Sequence, residues 1–140
     1  MRTLCRPVSL RGAWERRTFE GHTYDVACIA VSPDGGFAMS AEMYILKLWN
    51  VATGLCVRTF EAHKCLIDSI AISPDGRFGL SAGFNDGKLK LWDLAKGHCQ
   101  LEIKDQPSFM IYAVAFTPDG RCVLSGFGKV LKLWNVITGR

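Results

Sequence analysis

The sequence has little that would mark a membrane-spanning, exported or catalytic chain. No run in its 140 residues approaches the ~18 apolar residues of a membrane-spanning helix. Its first residues lack the apolar stretch of a secretory signal. Proline contributes five residues and glycine fourteen, too few for a collagen-like chain, and no long helical period is present for a coiled coil. There is no Gly-x-x-x-x-Gly-Lys-Ser/Thr loop to cradle phosphates and no Gly-x-Ser-x-Gly turn to expose a nucleophile. Gly126-Phe127-Gly128 is too short for a dinucleotide fingerprint. His63 and Cys65 are spaced as half a zinc site, but no second pair has ligand spacing. No metal, cofactor or enzymatic activity is therefore expected.

The composition is that of one globular domain: 49% of residues are apolar and 21% charged, where a disordered chain would be poorer in the first and richer in the second. Lys and Arg number 17 against 13 Asp and Glu. The excess sits in a basic arm holding Arg2, Arg6, Arg11, Arg16 and Arg17 against Glu15, and the remaining charges balance. A nucleic-acid-binding domain carries its basic excess on the folded surface, so nucleic acid is not an expected partner. Of the six cysteines, Cys28 and Cys122 fall in apolar strand patterns, and Cys56 and Cys99 hold one slot in two repeats. Reduced thiols in a cytoplasmic chain are expected, rather than a disulfide framework.

Three segments recur in one order. Ser32-Pro33-Asp34-Gly35 returns as Ser73-Pro74-Asp75-Gly76 and as Thr117-Pro118-Asp119-Gly120. Leu46-Lys47-Leu48-Trp49-Asn50 returns as Leu89-Lys90-Leu91-Trp92-Asp93 and as Leu131-Lys132-Leu133-Trp134-Asn135. Arg17-Thr18-Phe19-Glu20-Gly21-His22 returns as Arg58-Thr59-Phe60-Glu61-Ala62-His63. Each unit reads as four short strands. The first covers 26–31, 67–72 and 111–116, with Ile29/Val31, Ile70/Ile72 and Val114/Phe116 on one face, because strand side chains alternate. A Pro-Asp-Gly turn follows: Pro presets φ, Asp bonds the local backbone and Gly accepts positive φ. The second strand covers 37–40, 78–81 and 122–125. The Leu-Lys-Leu-Trp run is the third. The fourth covers 56–60 and 99–103, with 14–19 as its counterpart ahead of the first unit.

These anchors resemble the WD-repeat β-propeller family, whose unit of about 40–45 residues carries Gly-His and Trp-Asp signatures. The resemblance implies an all-β fold, with β-propeller blades of four antiparallel strands. It divides the chain into an N-terminal arm at 1–13 and three repeats at about 14–53, 54–96 and 97–140. It also implies a hydrogen-bonded set in each blade: a His before the first strand, a Ser on the second, an Asp in the following turn, and the Trp. On this chain that set comprises His22, Ser40 and Trp49; His63, Ser81, Asp86 and Trp92; and Ser125 and Trp134. Glu42-Met43-Tyr44 and Phe127-Gly128-Lys129 stand where two turn Asp residues belong, and Pro107 stands for the third His. Only the middle set reads as complete, so the middle unit is expected to be the strongest.

Three units are too few to close a propeller of about four to eight blades. Three readings stay open: self-assembly into a larger ring, docking with another propeller fragment, or a truncated piece of a longer regulatory protein without independent function. The resemblance implies a non-catalytic scaffold or subunit that binds other proteins or peptides and no membrane. Its rim loops place Tyr24, Glu42, Tyr44, Leu66, Phe84, Asn85, Phe109 and Phe127 as candidate contacts, because aromatic side chains among polar ones make good interface anchors.

Overall fold

The computed structural model describes residues 17–84, 86–104 and 113–137, and at Phe127 the backbone alone. The 1–13 arm, Trp14, Asn85, Pro107 and Phe109 lie outside the described residues. Strands β1 (Cys28–Val31), β2 (Phe37–Glu42), β3 (Ile45–Asn50) and β4 (Leu55–Glu61) form the first antiparallel sheet in chain order. Strands β5 (Ile67–Ile72), β6 (Phe78–Gly83), β7 (Lys88–Asp93) and β8 (His98–Lys104) form the second. Strands β9 (Ala113–Phe116), β10 (Cys122–Phe127) and β11 (Val130–Asn135) form the third, with β10 in the middle. The expected all-β blades are thus present, and no helix occurs among the described residues. The sheets do not close a ring. Of the segment 14–19, expected as a fourth strand, residues 17–19 are described and are not a strand.

The recurrent Pro-Asp-Gly turns are built alike. Ser32 and Ser73 donate to Asp34 and Asp75 at 2.7 and 2.6 Å, and Thr117 donates to Asp119 at 2.7 Å. Each carboxylate also accepts a backbone N–H two residues on, from Gly36, Arg77 and Arg121. The turn glycines Gly35, Gly76 and Gly120 have φ of +74°, +76° and +74°, a region open to residues without a Cβ. These hydrogen bonds hold the three Asp carboxyls below their ordinary pKa. They are turn formers, not proton donors for catalysis.

Each sheet has two unlike apolar faces. The leading face carries the paired leucines of the third strand; the trailing face carries the Trp and the outer pair of the first strand. The leading face of blade 1 (Met39, Leu46, Leu48, Phe60) packs on Ile70, Ile72 and Trp92 of the trailing face of blade 2. The leading face of blade 2 (Leu80, Leu89, Leu91, Ile103) packs on Val114, Phe116 and Trp134 of blade 3. Period-two alternation therefore translates directly into two inter-blade cores. Fully burying each large side chain there is worth roughly 1.5–3 kcal/mol. The lysines of the third strands lie on the Trp face, with Lys90 and Lys132 ammonium groups 5.8 and 5.6 Å from the Trp92 and Trp134 rings.

A hook crosses between blades at the outer end. Arg58 of β4 donates to the Ala95 carbonyl of blade 2 at 2.8 Å, and Arg17 donates to the Thr53 carbonyl of blade 1 at 3.2 Å. Each side chain lies over a glycine: a Cβ at Gly97 would sit 2.8 Å from Arg58 Cζ, and one at Gly54 would sit 2.7 Å from Arg17 Cδ. Leu101 holds the corresponding slot of β8 and joins the second core.

Candidate functional site

The loops ahead of β1 and β5 and the turns β2–β3 and β6–β7 gather at one end of blades 1 and 2. What holds them is a buried polar chain. In blade 2, Trp92 Nε1 donates to Ser81 Oγ at 2.9 Å, Ser81 Oγ lies 2.8 Å from His63 Nε2, and His63 Nδ1 lies 3.1 Å from Asp86 Oδ2. A carboxylate can only accept, so Nδ1 carries the ring proton and Nε2 accepts from the serine hydroxyl. Burial lowers the His63 pKa despite the opposing pull of Asp86, which keeps the ring neutral. For Asp86, burial alone would raise the pKa, but the Lys88 N–H, the His63 ring and the Cys65 thiol outweigh it and hold the carboxyl low.

Ser81, His63 and Asp86 stand in the order of a nucleophilic relay. The Ser81 hydroxyl is fully buried and already engaged by the Trp92 indole, so no substrate reaches it. Cys65 is likewise inert: burial and the Asp86 carboxylate push its pKa to about 11, which leaves a thiol rather than a thiolate ligand. No cluster of three potential metal ligands occurs among the described residues.

Blade 1 adds to the sequence reading. The turn there has no Asp, but a carboxylate from the end of β2, not foreseen in that role, stands beside the histidine. Trp49 Nε1 donates to Ser40 Oγ at 2.8 Å, Ser40 bonds His22 Nε2, and Glu42 Oε1 lies 3.0 Å from His22 Nδ1. This last contact is electrostatic, because Nδ1 has no well-aligned hydrogen-bond partner. Glu42 also accepts the backbone N–H groups of Thr23 at 3.1 Å and Tyr24 at 2.6 Å. Burial would raise its pKa, but His22 and these two N–H groups lower it.

The carboxylate thus arrives from the end of β2 in blade 1 and from the turn after β6 in blade 2. Gly83 holds the slot of Glu42 in the repeat. A Cβ there would lie 2.6 Å from the Asp86 carboxyl carbon. One side chain fills the space that the other leaves. Glu42 is also removed from the candidate contact surface: it is buried, and its oxygens are occupied. In blade 3, Ser125 accepts from Trp134 Nε1 at 2.9 Å.

The other described rim candidates, Tyr24, Tyr44, Leu66 and Phe84, are exposed. Hydrogen bonds hold the loops that carry them. Tyr24 N–H is held by Glu42. The Tyr44 carbonyl accepts from Ala62 and His63 N–H at 3.0 and 3.3 Å, and the Leu66 carbonyl accepts from Phe84 N–H at 2.6 Å. Met43, between them, has φ of +48°, a conformation costly for a residue with a Cβ. Its carbonyl accepts Ile67 N–H at 2.6 Å, which fixes the tip of the β2–β3 hairpin against blade 2. Asn85 and Phe109 lie outside the described residues, and Phe127 contributes only its backbone.

Known proteins carry the same repeat. The WD domain, G-beta repeat family (WD40) matches residues 14–50, 54–93 and 97–135. The chain belongs to this family. Among curated WD40 relatives, WD repeat-containing protein 3 of Homo sapiens is 33% identical over 121 residues, covering 86% of this chain and 12% of the relative. U3 small nucleolar RNA-associated protein 12 of Saccharomyces cerevisiae is 32% identical over 117 residues, covering 83% and 12%. The Mus musculus WD repeat-containing protein 3 is 31% identical over 121 residues, with 86% and 12% covered. The chain therefore spans about an eighth of the length of these relatives. The polar chains of blades 1 and 2 hold the His, Ser and Trp of matching slots in the two repeats, with Glu42 in one and Asp86 in the other.

Proposed function

We propose that the chain is a non-catalytic protein-interaction scaffold or subunit that receives a peptide segment of a partner protein on the rim of Tyr24, Tyr44, Leu66 and Phe84. The observation that carries this reading is the rim itself. Four exposed large side chains stand on loops pinned by buried carboxylate–histidine pairs and inter-blade backbone bonds, so the surface is preorganised and loses little freedom on binding. WD40 membership supports it. A peptide library selected against the chain tests it. The selected peptides carry an apolar or aromatic anchor. Phe84→Ala and Tyr24→Ala each weaken them by roughly 5–30-fold, as truncated interface anchors do, while urea unfolding stays unchanged. Peptides that bind both variants as they bind the parent chain refute the rim.

A second reading rests on the 12% coverage of the relatives: the chain is part of a longer WD-repeat regulatory protein and acts only within it. Further repeats in the same reading frame support that reading, and their absence sinks it. The cytoplasm is the proposed location, since a reducing compartment suits the free thiols Cys28, Cys56, Cys65, Cys99 and Cys122. The yeast relative is named for a small nucleolar RNA, which makes a nucleolar signal in cell fractionation the result that overturns it.

A further inference from the structure

Within the chain a leading face always meets a trailing face, never its own kind. The first trailing face and the last leading face carry apolar residues of the same kind at the same slots, yet they stand in solvent. Ile29 and Val31 hold the slots of Ile70 and Ile72; Ile29 is 68% exposed, against 7% for Ile70. Leu131 and Leu133 hold the slots of Leu89 and Leu91; they are 74% and 59% exposed, against 2% and 6%. Phe19, ahead of blade 1, lies with its ring centroid 5.7 Å from that of Trp49, as Phe60 of blade 1 lies 5.2 Å from Trp92 of blade 2. The trailing face of blade 1 thus already carries one residue of the neighbour it is shaped for.

We propose that these two faces bind each other between two copies of the chain. The leading face of blade 3 in one copy seats on the trailing face of blade 1 in the other, and the contact occurs twice, so that six blades surround one axis. The two internal cores supply the template: Leu131 and Leu133 lie against a partner's Ile29 and Val31 as Leu89 and Leu91 lie against Val114 and Phe116. Each copy holds one face of each kind, so the contact is head-to-tail. Such contacts either close into rings or run on as filaments. Two copies give six blades, inside the range of about four to eight that closed propellers adopt. The proposal does not depend on the rim reading, because neither face includes a rim residue.

Light scattering on the 140-residue chain across a concentration series tests this, with one substitution on each face, Ile29→Asp and Leu131→Asp. Both positions are exposed in a single copy, so each variant retains the fold; circular dichroism checks this. Val31→Lys and Leu133→Lys replace any variant that fails the check. The parent chain approaches twice its 15.5 kDa mass, and each variant alone stays at single mass. An equimolar mixture of the two variants regains a two-copy species, because one intact contact remains between them. A parent chain that stays at single mass at its solubility limit overturns the proposal. So does association lost with Ile29→Asp but kept with Leu131→Asp, since that pattern marks a like-with-like contact. A mixture that does not recover, or recovery only with blades of a different WD40 protein, also overturns it.

Discussion

Replacing Ser81 with alanine removes a single oxygen on which two buried groups depend. Trp92 Nε1–H loses its acceptor at 2.9 Å, and His63 Nε2 loses its donor at 2.8 Å. Both groups lie in a region that water does not enter, since Ser81, His63 and Trp92 are all buried. A buried donor or acceptor left without its partner costs about 1–3 kcal/mol, so Ser81→Ala is expected to lose about 2–4 kcal/mol. That is a large share of the roughly 5–15 kcal/mol that holds a domain together. Ser125→Ala is the internal control. Among the described residues, Ser125 serves the Trp134 indole and no histidine, so its loss is expected at about 1–2 kcal/mol. Urea unfolding followed by tryptophan fluorescence reads both. With a slope of about 2 kcal/mol per molar, Ser81→Ala lowers the midpoint by about 1–2 M. Equal losses for the two variants, or less than about 1 kcal/mol for Ser81→Ala, would refute the claim that the histidine is held through the serine.

Two further outcomes follow from the same chemistry. Gly83→Ala drives a methyl group into the Asp86 carboxyl carbon at 2.6 Å and is expected to cost about 1–3 kcal/mol, as overpacking does; an unchanged urea midpoint would show that the turn yields freely. The pH profile has a definite sign. Burial lowers the His63 pKa from 6.5, so the unfolded chain binds protons first and stability declines as pH falls from 6.5 through the folded value. A further loss begins near pH 4.5 and 3.8 as the lowered Glu42 and Asp86 carboxyls are approached. Urea midpoints measured between pH 7 and 5 check this, with His63→Gln expected to flatten the decline; parallel slopes in parent and variant would count against it.

The strands were legible because their signals are local. Alternation placed β5 at Ile67–Ile72, as found, and the Leu-Lys-Leu-Trp runs fall in β3, β7 and β11. The second strands run two residues further than the pattern suggested, to Glu42, Gly83 and Phe127, because ladder pairing continues past the last alternating residue, with the third strand at Glu42 and Phe127 and with β5 at Gly83. β1 starts two residues later, at Cys28. The role of Glu42 was not legible slot by slot. Its carbon chain is longer than that of Asp, and reach, not position, decides where a carboxylate lands. A signal did exist: the repeat with a turn Asp carries Gly83 where the repeat without one carries Glu42. The exposure of Tyr24, Tyr44, Leu66 and Phe84 followed from their loop positions, whereas the inter-blade bonds that align them arise only from packing.

The exchange between Glu42 and Asp86 separates the length of a hairpin from the chemistry beneath it. The β2–β3 connection is two residues shorter than the β6–β7 connection, yet both histidines face a carboxylate. A change in hairpin length therefore keeps the histidine partnered only where the carboxylate moves with it, to the strand end in the short hairpin and into the turn in the long one. Two rim fingers of unequal length thus stand on one unchanged palm of serine, histidine and tryptophan, and the finger decides which residue supplies the charge.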